Sequence, residues 1–308
     1  MAKKQKNGDT VERSLWKRVW QTKESYVMLA PFVILFTIFI LIPLISAVGL
    51  SFTSFDMLQM PKFVGADNYI RLFLEDDVFI KAVQNTLVFA VITGPLGYIL
   101  SLFIAWLVNE LNRKLRVILT LIMYAPTLAG NVYYIWTFIF SGDAKGLVNS
   151  TLLKTGLLKD PIQWLTNGSY SFVVVIIVMI WLSLGTGFLS FVAGFQSLDK
   201  SYSEAAAIDG IKNRFQELWY VTLPQMVPQL LFGAVMSISA AFAVGYQNAA
   251  ITGFPSANYS THTILLHMLD YSTIRFEMGY ASAIAVVLFG IMLLSWLIIN
   301  KTLNKISD

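Results

Sequence analysis

Residues 197–226 read SLDKSYSEAAAIDGIKNRFQELWYVTLPQM and connect two long runs that contain no charged residue. Ser201 stands three residues before Glu204, which is the spacing of a capping box at the start of a helix. Alanines favour continuation of this helix, and Gly210 is suited to end it in the left-handed conformation. A second, amphipathic helix is predicted over Ile211–Thr222, where a Leu-Pro pair ends it. The segment is therefore expected to form a two-helix elbow on a membrane surface.

This elbow, Ser197–Pro224, has two interpretations that its spacing leaves open. Small alanines let another backbone approach closely, so the first helix is a candidate docking surface for a partner. Alternatively, the two helices only anchor the loop at the interface between membrane and water.

The runs on either side of the elbow belong to a set of six apolar runs distributed along the whole chain. Each contains no Asp, Glu, Lys or Arg and is long enough to span about 30 Å of hydrocarbon, which takes roughly 20 helical residues. They are Tyr26–Leu50, Thr86–Val108, Val117–Phe140, Tyr170–Gln196, Gln225–Ile251 and Met278–Asn300. We predict an all-α, polytopic membrane protein with six transmembrane helices, in one domain over residues 26–308.

Composition supports this class of protein. Hydrophobic residues make up 56% of the 308-residue chain and charged residues 13%, against roughly 25% charged in soluble domains. No cysteine is present, which excludes disulfides and thiolate metal sites. The net charge of +4 is small and unevenly placed, and it argues against a nucleic-acid partner.

Lys and Arg residues predict the orientation, because they concentrate on the cytosolic side. The N-terminal segment, the second and fourth loops and the tail together hold fifteen, whereas the first, third and fifth loops hold seven. Residues 1–25 are therefore expected to form a cytosolic arm, and both termini and the Ser197–Pro224 loop are expected inside the cell.

The spans contain no ionisable residue, although carriers driven by ion gradients usually hold such groups at membrane depth. The chain also lacks a G-x-x-x-x-G-K-[ST] phosphate loop, so energy for uphill transport must come from another chain. His262 and His267 fall in the fifth loop and are interpreted as surface residues. An ATP-driven importer subunit, an ion-coupled secondary carrier and a non-transporting anchor or sensor remain as function classes.

A family resemblance distinguishes among these classes. Glu204-Ala205-Ala206, Ile208-Asp209-Gly210 and Thr222-Leu223-Pro224 resemble, in order and spacing, the EAA loop of binding-protein-dependent ABC importer permeases. The subfamily that it resembles transports maltose-like sugars and glycerol phosphate. Further agreement comes from Phe63-Val64-Gly65, Asn68-Tyr69, Asn85-Thr86, Ile180-Trp181-Leu182 and Met278-Gly279-Tyr280-Ala281-Ser282-Ala283. Ile211-Lys212-Asn213 departs from the pattern, and the long first-loop domain of the enteric maltose subunit is absent.

The resemblance implies a type I ABC importer permease fold, a location in a bacterial plasma membrane and a role without covalent catalysis. Residues Glu204–Gly210 would form a coupling helix held in a cleft of a partner ATPase, which binds ATP and Mg²⁺. The implied partners are a second permease subunit, two ATPase subunits and an extracellular solute-binding protein. The coupling residues implied are Glu204, Ala205, Ala206, Asp209, Gly210, Leu223 and Pro224.

The resemblance also indicates a solute path through the fourth and fifth spans. Sugars are held there in maltose-type relatives, which makes seven residues candidates: Leu182, Ser183, Thr186, Phe242, Tyr246, Gln247 and Asn248. Small and hydroxyl residues also pack helices together in membranes, so a packing role remains open for each of them. This chain itself is expected to bind no cofactor and no metal.

Overall fold

The computed structural model describes residues 22–307, so most of the predicted arm, residues 1–25, lies outside the described residues. The chain divides into two compact units, Met1–Gly49 and Leu50–Asp308. The described part of the first unit is helical, and none of the side chains of α1, of the π-helical turn that follows it or of α2 is buried. A helix that is apolar along its whole length and exposed in its own chain is typical of a membrane span.

The helices of the described chain are numbered in sequence order. They are α1 Lys23–Phe36, α2 Ile42–Leu50, α3 Asp67–Leu74, α4 Asp77–Asn109, α5 Arg113–Leu128, α6 Tyr134–Ile139, α7 Leu147–Lys154, α8 Gly168–Leu182, α9 Thr186–Ser197, α10 Lys200–Ile208, α11 Arg214–Glu217, α12 Leu223–Gln225, α13 Val227–Phe242, α14 Tyr246–Thr252, α15 Ile264–Leu269 and α16 Met278–Ser307. Single π-helical turns cover Thr37–Leu41, Leu218–Thr222 and Asp270–Ile274, and a 3₁₀ turn covers Ala257–Tyr259. A two-residue antiparallel hairpin pairs β1 Thr53–Ser54 with β2 Lys62–Phe63.

Four helical stretches of the described chain are long and apolar enough to cross a membrane: Lys23–Leu50, Asp77–Asn109, Gly168–Ser197 and Met278–Lys301. Two further helices that meet at 85°, Arg214–Gln225 and Val227–Phe242, add a fifth if they are counted as one broken span. The all-helical membrane class is confirmed, whereas the count of six is not. The predicted span Val117–Phe140 is divided, because α5 ends at Leu128 ahead of Gly130, whose φ is +60°.

Helix α4 is the central element of the second unit, because it contributes to all three of its hydrophobic clusters. Its inner face carries a small residue every four positions, at Thr93, Gly97, Ser101 and Ala105. Such a stripe lets helices approach closely in a membrane. The Ser101 hydroxyl donates to the Ser183 carbonyl at 3.2 Å, and a Cβ on Gly97 would lie 2.6 Å from Ser183 Cβ. The stripe therefore seats the end of α8 directly against α4.

The two ends of α4 meet different sets of loops. At its N-terminal end, Asn85 donates to the carbonyls of Tyr259 and His262 in the loop before α15, both at 2.8 Å. At its C-terminal end, Glu110 Oε2 lies 3.5 Å from Arg214 Nε of the elbow. The first and fifth loops thus meet at one end of α4 and the elbow at the other, as expected for a chain that crosses a membrane alternately.

The prediction that His262 and His267 are surface residues is wrong, because each is only 2% exposed. His267 Nε2 lies 3.0 Å from Asp76 Oδ2, and His267 Nδ1 lies 3.3 Å from His262 Nε2. Asp76 also caps α4 by accepting from the Phe79 amide at 2.8 Å, and it accepts from the Tyr280 hydroxyl at 2.8 Å. We call Asp76, His262, His267 and Tyr280 the histidine network.

Proton positions in this network follow from the carboxylate, which only accepts hydrogen bonds. His267 Nε2 therefore donates to Asp76, and in the neutral form of His267 its Nδ1 accepts from His262 Nε2. His262 Nδ1 is then a bare acceptor, and it is buried without a partner in the described chain. Burial and the neighbouring His267 lower the pKa of His262 to about 4. Burial opposes ionisation of Asp76, but hydrogen bonds from His267, the Phe79 amide and Tyr280 outweigh it and hold the Asp76 pKa well below its usual value.

We expect these shifts to make the fold sensitive to acid. A His whose pKa is lower in the folded state stabilises the fold fully above its unfolded value of roughly 6.5, and that contribution is lost as pH falls towards 4. The loss is about 3 kcal/mol, from a pKa change of roughly two and a half units. The midpoint of thermal unfolding of the purified protein should therefore fall steeply between pH 6.5 and pH 4. His262→Gln, which keeps a donor for His267 without titrating, should flatten this profile; an unchanged profile would contradict the assignment.

Candidate functional site

The first helix of the elbow, α10, is capped differently from the prediction. Asp199, which has extended backbone dihedrals, precedes the helix, and its carboxylate accepts from the Ser201 amide at 3.0 Å. This hydrogen bond holds the pKa of Asp199 below its usual value. Ser201 lies inside the first turn, so the predicted capping box of Ser201 and Glu204 is wrong. The earlier Asp199 takes the capping position, since its ionised carboxylate accepts from a free amide at the positive end of the helix.

The end of α10 agrees with the prediction, because Gly210 has a φ of +93°. The Ile211 amide donates to the Ala206 carbonyl at 3.0 Å, and the Gly210 amide donates to the Ala207 carbonyl at 3.4 Å. These two bonds form a Schellman motif. A Cβ on Gly210 would meet no atom within 4 Å, so backbone conformation and not space favours glycine at this position.

The second helix of the elbow starts and ends later than predicted. It begins at Arg214 and not at Ile211, because Asn213 accepts from the Gln216 amide at 2.8 Å as its N-cap. Helical backbone continues past Leu223 and Pro224 and breaks at Met226, where the 85° bend occurs. Pro224 follows the π-helical turn Leu218–Thr222 and lies in the three-residue segment α12, so helical backbone ends later than predicted.

The predicted coupling residues lie mostly on the surface of the elbow. Glu204, Ala205, Asp209, Gly210 and Pro224 are exposed, Leu223 is half-buried and Ala206 is buried. Large apolar side chains of the elbow are also exposed: Tyr202, Ile208, Phe215, Trp219 and Tyr220. A cluster of exposed apolar and aromatic side chains on a polar loop is typical of a protein interaction surface.

A cavity of about 420 Å³ lies where the long helices are interrupted, and we call it the central cavity. The α8 helix ends at Leu182 and α9 resumes at Thr186, whereas α13 ends at Phe242 and α14 resumes at Tyr246. Gly185 and Gly245 occupy these two breaks with unusual backbone dihedrals. Irregular backbone at membrane depth is tolerated where it lines a cavity, so the interruptions mark this region as a candidate path for a polar solute.

The central cavity brings together four of the seven predicted solute residues: Leu182, Ser183, Thr186 and Gln247. The other three lie elsewhere. Phe242 is buried in a hydrophobic cluster, and Tyr246 is 63% exposed outside the cavity. Asn248 is fully buried and donates to the Thr261 carbonyl at 2.9 Å.

Four hydroxyl residues of the cavity wall were not predicted: Thr93, Thr127, Ser237 and Ser239. The Thr127 hydroxyl donates to the Leu184 carbonyl at 3.2 Å and so satisfies a backbone acceptor freed by the break after α8. Thr127 follows Pro126 and Thr93 precedes Gly94-Pro95, and a hydroxyl beside a proline within a span is the signal that could have found them.

Gln247 is the most distinctive polar group of the central cavity. Its Oε1 atom is buried and has no hydrogen-bond partner among the described residues. A buried acceptor without a partner costs roughly 1–3 kcal/mol, which a donor from a solute would recover. The cavity wall carries hydroxyls, this amide and apolar surface, and no charged side chain. Within residues 22–307, no group of three or more His, Cys, Asp or Glu side chains is placed to hold a metal ion.

The described chain therefore has the features of a multi-pass membrane protein, with several apolar spans and interrupted helices around an uncharged cavity. A family model, described as binding-protein-dependent transport system inner membrane component, matches residues 95–305. The chain therefore belongs to this family, and the resemblance identified from its sequence is confirmed.

Three relatives align with this chain over most of its length. It is 33% identical over 283 residues to a probable ABC transporter permease protein, YesP, of Bacillus subtilis, covering 90% of this chain and 89% of the relative. It is 31% identical over 295 residues to the lactose transport system permease protein LacF of Rhizobium radiobacter, covering 94% and 96%. It is 30% identical over 275 residues to the sn-glycerol-3-phosphate transport system permease protein UgpA of Brucella abortus, covering 87% and 90%.

The fold is confirmed by a solved structure. A chain in the crystal structure of a bacterial ABC transporter involved in the import of the acidic polysaccharide alginate aligns with a TM-score of 0.77. The alignment covers 96% of this chain and 99% of that one, at 24% sequence identity. The described chain therefore has the fold of an ABC importer permease.

Proposed function

We propose that the chain is a membrane-spanning subunit of an ATP-driven importer and forms part of the path for a sugar or oligosaccharide. The observation that carries this proposal is the central cavity, where hydroxyl and amide groups meet at helix interruptions without any charge. The hydroxyl groups of a saccharide can be held by hydrogen bonds and apolar contact, without any charged side chain in the wall. The relative named for lactose transport supports this class of solute.

The partners follow from the same proposal. A related permease subunit would complete the path, two ATPase subunits would bind ATP and Mg²⁺, and an extracellular binding protein would deliver the solute. A structure of the alginate transporter contains a periplasmic protein bound to an alginate pentasaccharide, which supports the last of these. One chain offers one elbow, whereas an ATPase dimer has two clefts. The chain would therefore work in a heteromer, in which it supplies one elbow and the ATPase subunits hydrolyse ATP.

The elbow would dock in the ATPase cleft through its exposed face. Glu204 and Asp209 supply charge, and Ile208, Phe215 and Trp219 supply apolar surface that is 60–86% exposed. Closure of the ATPase dimer would move α10 and, through the bend at Met226, the helix α13 that borders the central cavity. Access to the cavity would thereby alternate between the two sides of the membrane.

This docking requires the elbow and both termini to face the cytosol, as the Lys and Arg distribution predicts. A single cysteine introduced at Asn213 should react with an impermeant reagent only after cells are opened. Reaction in intact cells would contradict the orientation.

The proposal is tested by reconstitution. Proteoliposomes that contain the chain, its permease partner, the ATPase and the binding protein should take up a labelled saccharide only with ATP. Uptake that depends on an ion gradient and is indifferent to ATP would overturn the proposal, as would uptake by this chain alone.

Gln247→Leu should weaken saccharide uptake while leaving ATP hydrolysis unchanged, because it removes a free acceptor from the cavity wall. The loss of one hydrogen bond of about 1–2 kcal/mol predicts a roughly tenfold higher KM for uptake. The adjacent Asn248→Leu is the matched variant: Asn248 lies outside the cavity wall and its amide nitrogen donates to the Thr261 carbonyl, so it should lower the unfolding temperature. Wild-type KM in Gln247→Leu would remove Gln247 from the solute path.

A further inference from the structure

A second polar cavity lies at the end of α4 that is remote from the elbow, and we call it the outer cavity. Its volume is about 800 Å³, and its wall is formed by the first turns of α4, the start of α8 and the loop 257–260. Lys81, Gln84, Asn85, Ser169 and Asn258 contribute polar groups, and Phe172 contributes a ring. The central cavity, by contrast, lies at the breaks between α8 and α9 and between α13 and α14.

The wall of the outer cavity is fixed by buried polar contacts. Asn85 is only 5% exposed, and its amide nitrogen donates to the carbonyls of Tyr259 and His262 at 2.8 Å. Ser260 and Ser171 share a hydroxyl hydrogen bond at 3.2 Å across the same wall. Asn258 and Tyr259 are held at φ of +51° and +54°, a left-handed conformation that asparagine adopts readily and tyrosine rarely. Strained backbone persists only where surrounding structure maintains it, and it is concentrated at binding sites.

The outer cavity carries positive charge and no negative charge. Lys81 is exposed on its wall and forms no salt bridge within residues 22–307. No carboxylate lines the cavity, and the N-terminus of the 15-residue α8, with its partial positive charge, opens into it. The remaining polar groups are amides and hydroxyls, which both donate to and accept from sugar hydroxyls.

We propose that the outer cavity is a saccharide subsite that ranks hydroxylated solutes by charge and favours those with one carboxylate. Lys81 binds the carboxylate, while Gln84 and Asn258 bind hydroxyl groups. The subsite receives solute before it reaches the uncharged central cavity, and it thereby sets specificity. This inference rests on the proposed function, since it assumes that the chain handles saccharides.

The test measures binding of glucose and glucuronate, which differ at one carbon, to the full-length chain in lipid nanodiscs at fixed ionic strength. A charge-assisted hydrogen bond predicts that glucuronate binds roughly tenfold more tightly than glucose. Lys81→Gln should remove this preference, and Lys81→Arg should keep it. Lys145→Gln is the matched control, because Lys145 is an exposed lysine of the third loop outside the cavity wall, and it should keep the preference. Gln84→Ala should weaken the binding of glucose and of glucuronate by a similar factor.

Equal binding of the two sugars by the wild-type chain would overturn the subsite, and so would a preference that survives Lys81→Gln. Loss of the preference in Lys145→Gln would also overturn it, because general surface charge would then explain the effect. These outcomes do not depend on an ATPase. Failure of ATP-driven uptake in the reconstituted complex defeats the proposed function, whereas failure of these titrations defeats only the subsite.

Discussion

Gly210→Leu is expected to reduce ATP-driven uptake and the hydrolysis stimulated by the binding protein roughly tenfold or more, while the complex still assembles. The substitution places a side chain on a backbone with a φ of +93°, at a local cost of about 1–2 kcal/mol. Relaxing this strain would open the Schellman motif and displace the end of α10 from the ATPase cleft. No neighbouring atom lies within 4 Å of the new Cβ, so the fold of the chain itself should tolerate the change.

The control for this variant is Gly156→Leu. Gly156 has a φ of +73° and also has no atom within 4 Å of a built Cβ, but it lies in the third loop. Both variants should therefore lower the unfolding temperature by similar amounts, and only Gly210→Leu should uncouple hydrolysis from uptake. Normal coupling in an assembled Gly210→Leu complex would show that the elbow is not the coupling element.

Gly279→Ala is expected to have the largest effect on stability. The Gly279 amide donates to the Phe55 carbonyl at 2.9 Å, and a Cβ on Gly279 would overlap the Thr53 carbonyl oxygen. Both contacts are with backbone of the hairpin region, which cannot turn aside as a flexible side chain would. Overpacking of this kind costs about 1–3 kcal/mol or more, and at this position it also breaks a hydrogen bond.

The matched control for Gly279→Ala lies on the same helix. A Cβ on Gly290 of α16 meets no atom within 4 Å, and alanine is the better helix former. Gly290→Ala should therefore leave the unfolding temperature of the purified chain unchanged or raise it slightly, whereas Gly279→Ala should lower it by several degrees or prevent accumulation in the membrane. Equal stability of the two variants would contradict the close contact at Gly279.

Sequence reasoning predicted the features that depend on local chemistry. The spans at Lys23–Leu50 and Met278–Lys301 follow from continuous apolar runs, and the positive φ of Gly210 follows from its place after an alanine-rich helix. The start of α10 was misplaced because Ser201 and Asp199 are both good caps, and only the backbone dihedrals distinguish between them. The length of α4 was underestimated because the charged residues Asp77 and Lys81 interrupt the apolar run in its first turns.

The parts of the candidate site that escaped prediction depend on contacts between distant segments. Thr93 and Thr127 line the central cavity only because α4 and α5 pack against the break after α8. His262 was expected at the surface because its loop is polar, but Asn85 of α4 binds its carbonyl and brings it into the interior. The Phe242 side chain packs in a hydrophobic cluster and does not line the central cavity. Phe242 is the last residue of α13, and hydrophobic periodicity does not predict the direction of a side chain at a helix end.

The length of α4 has a consequence for how the protein sits in a bilayer. At 33 residues, the helix is about 50 Å long, which exceeds the hydrocarbon thickness of about 30 Å. Its uncharged, apolar part, residues 86–108, accounts for about 35 Å of this and matches the hydrocarbon at a modest tilt. The polar turns that carry Lys81, Gln84 and Asn85 therefore stand among the lipid headgroups or above them. A solute at the outer cavity remains hydrated there, and thickening the bilayer with longer acyl chains would submerge that mouth and slow entry.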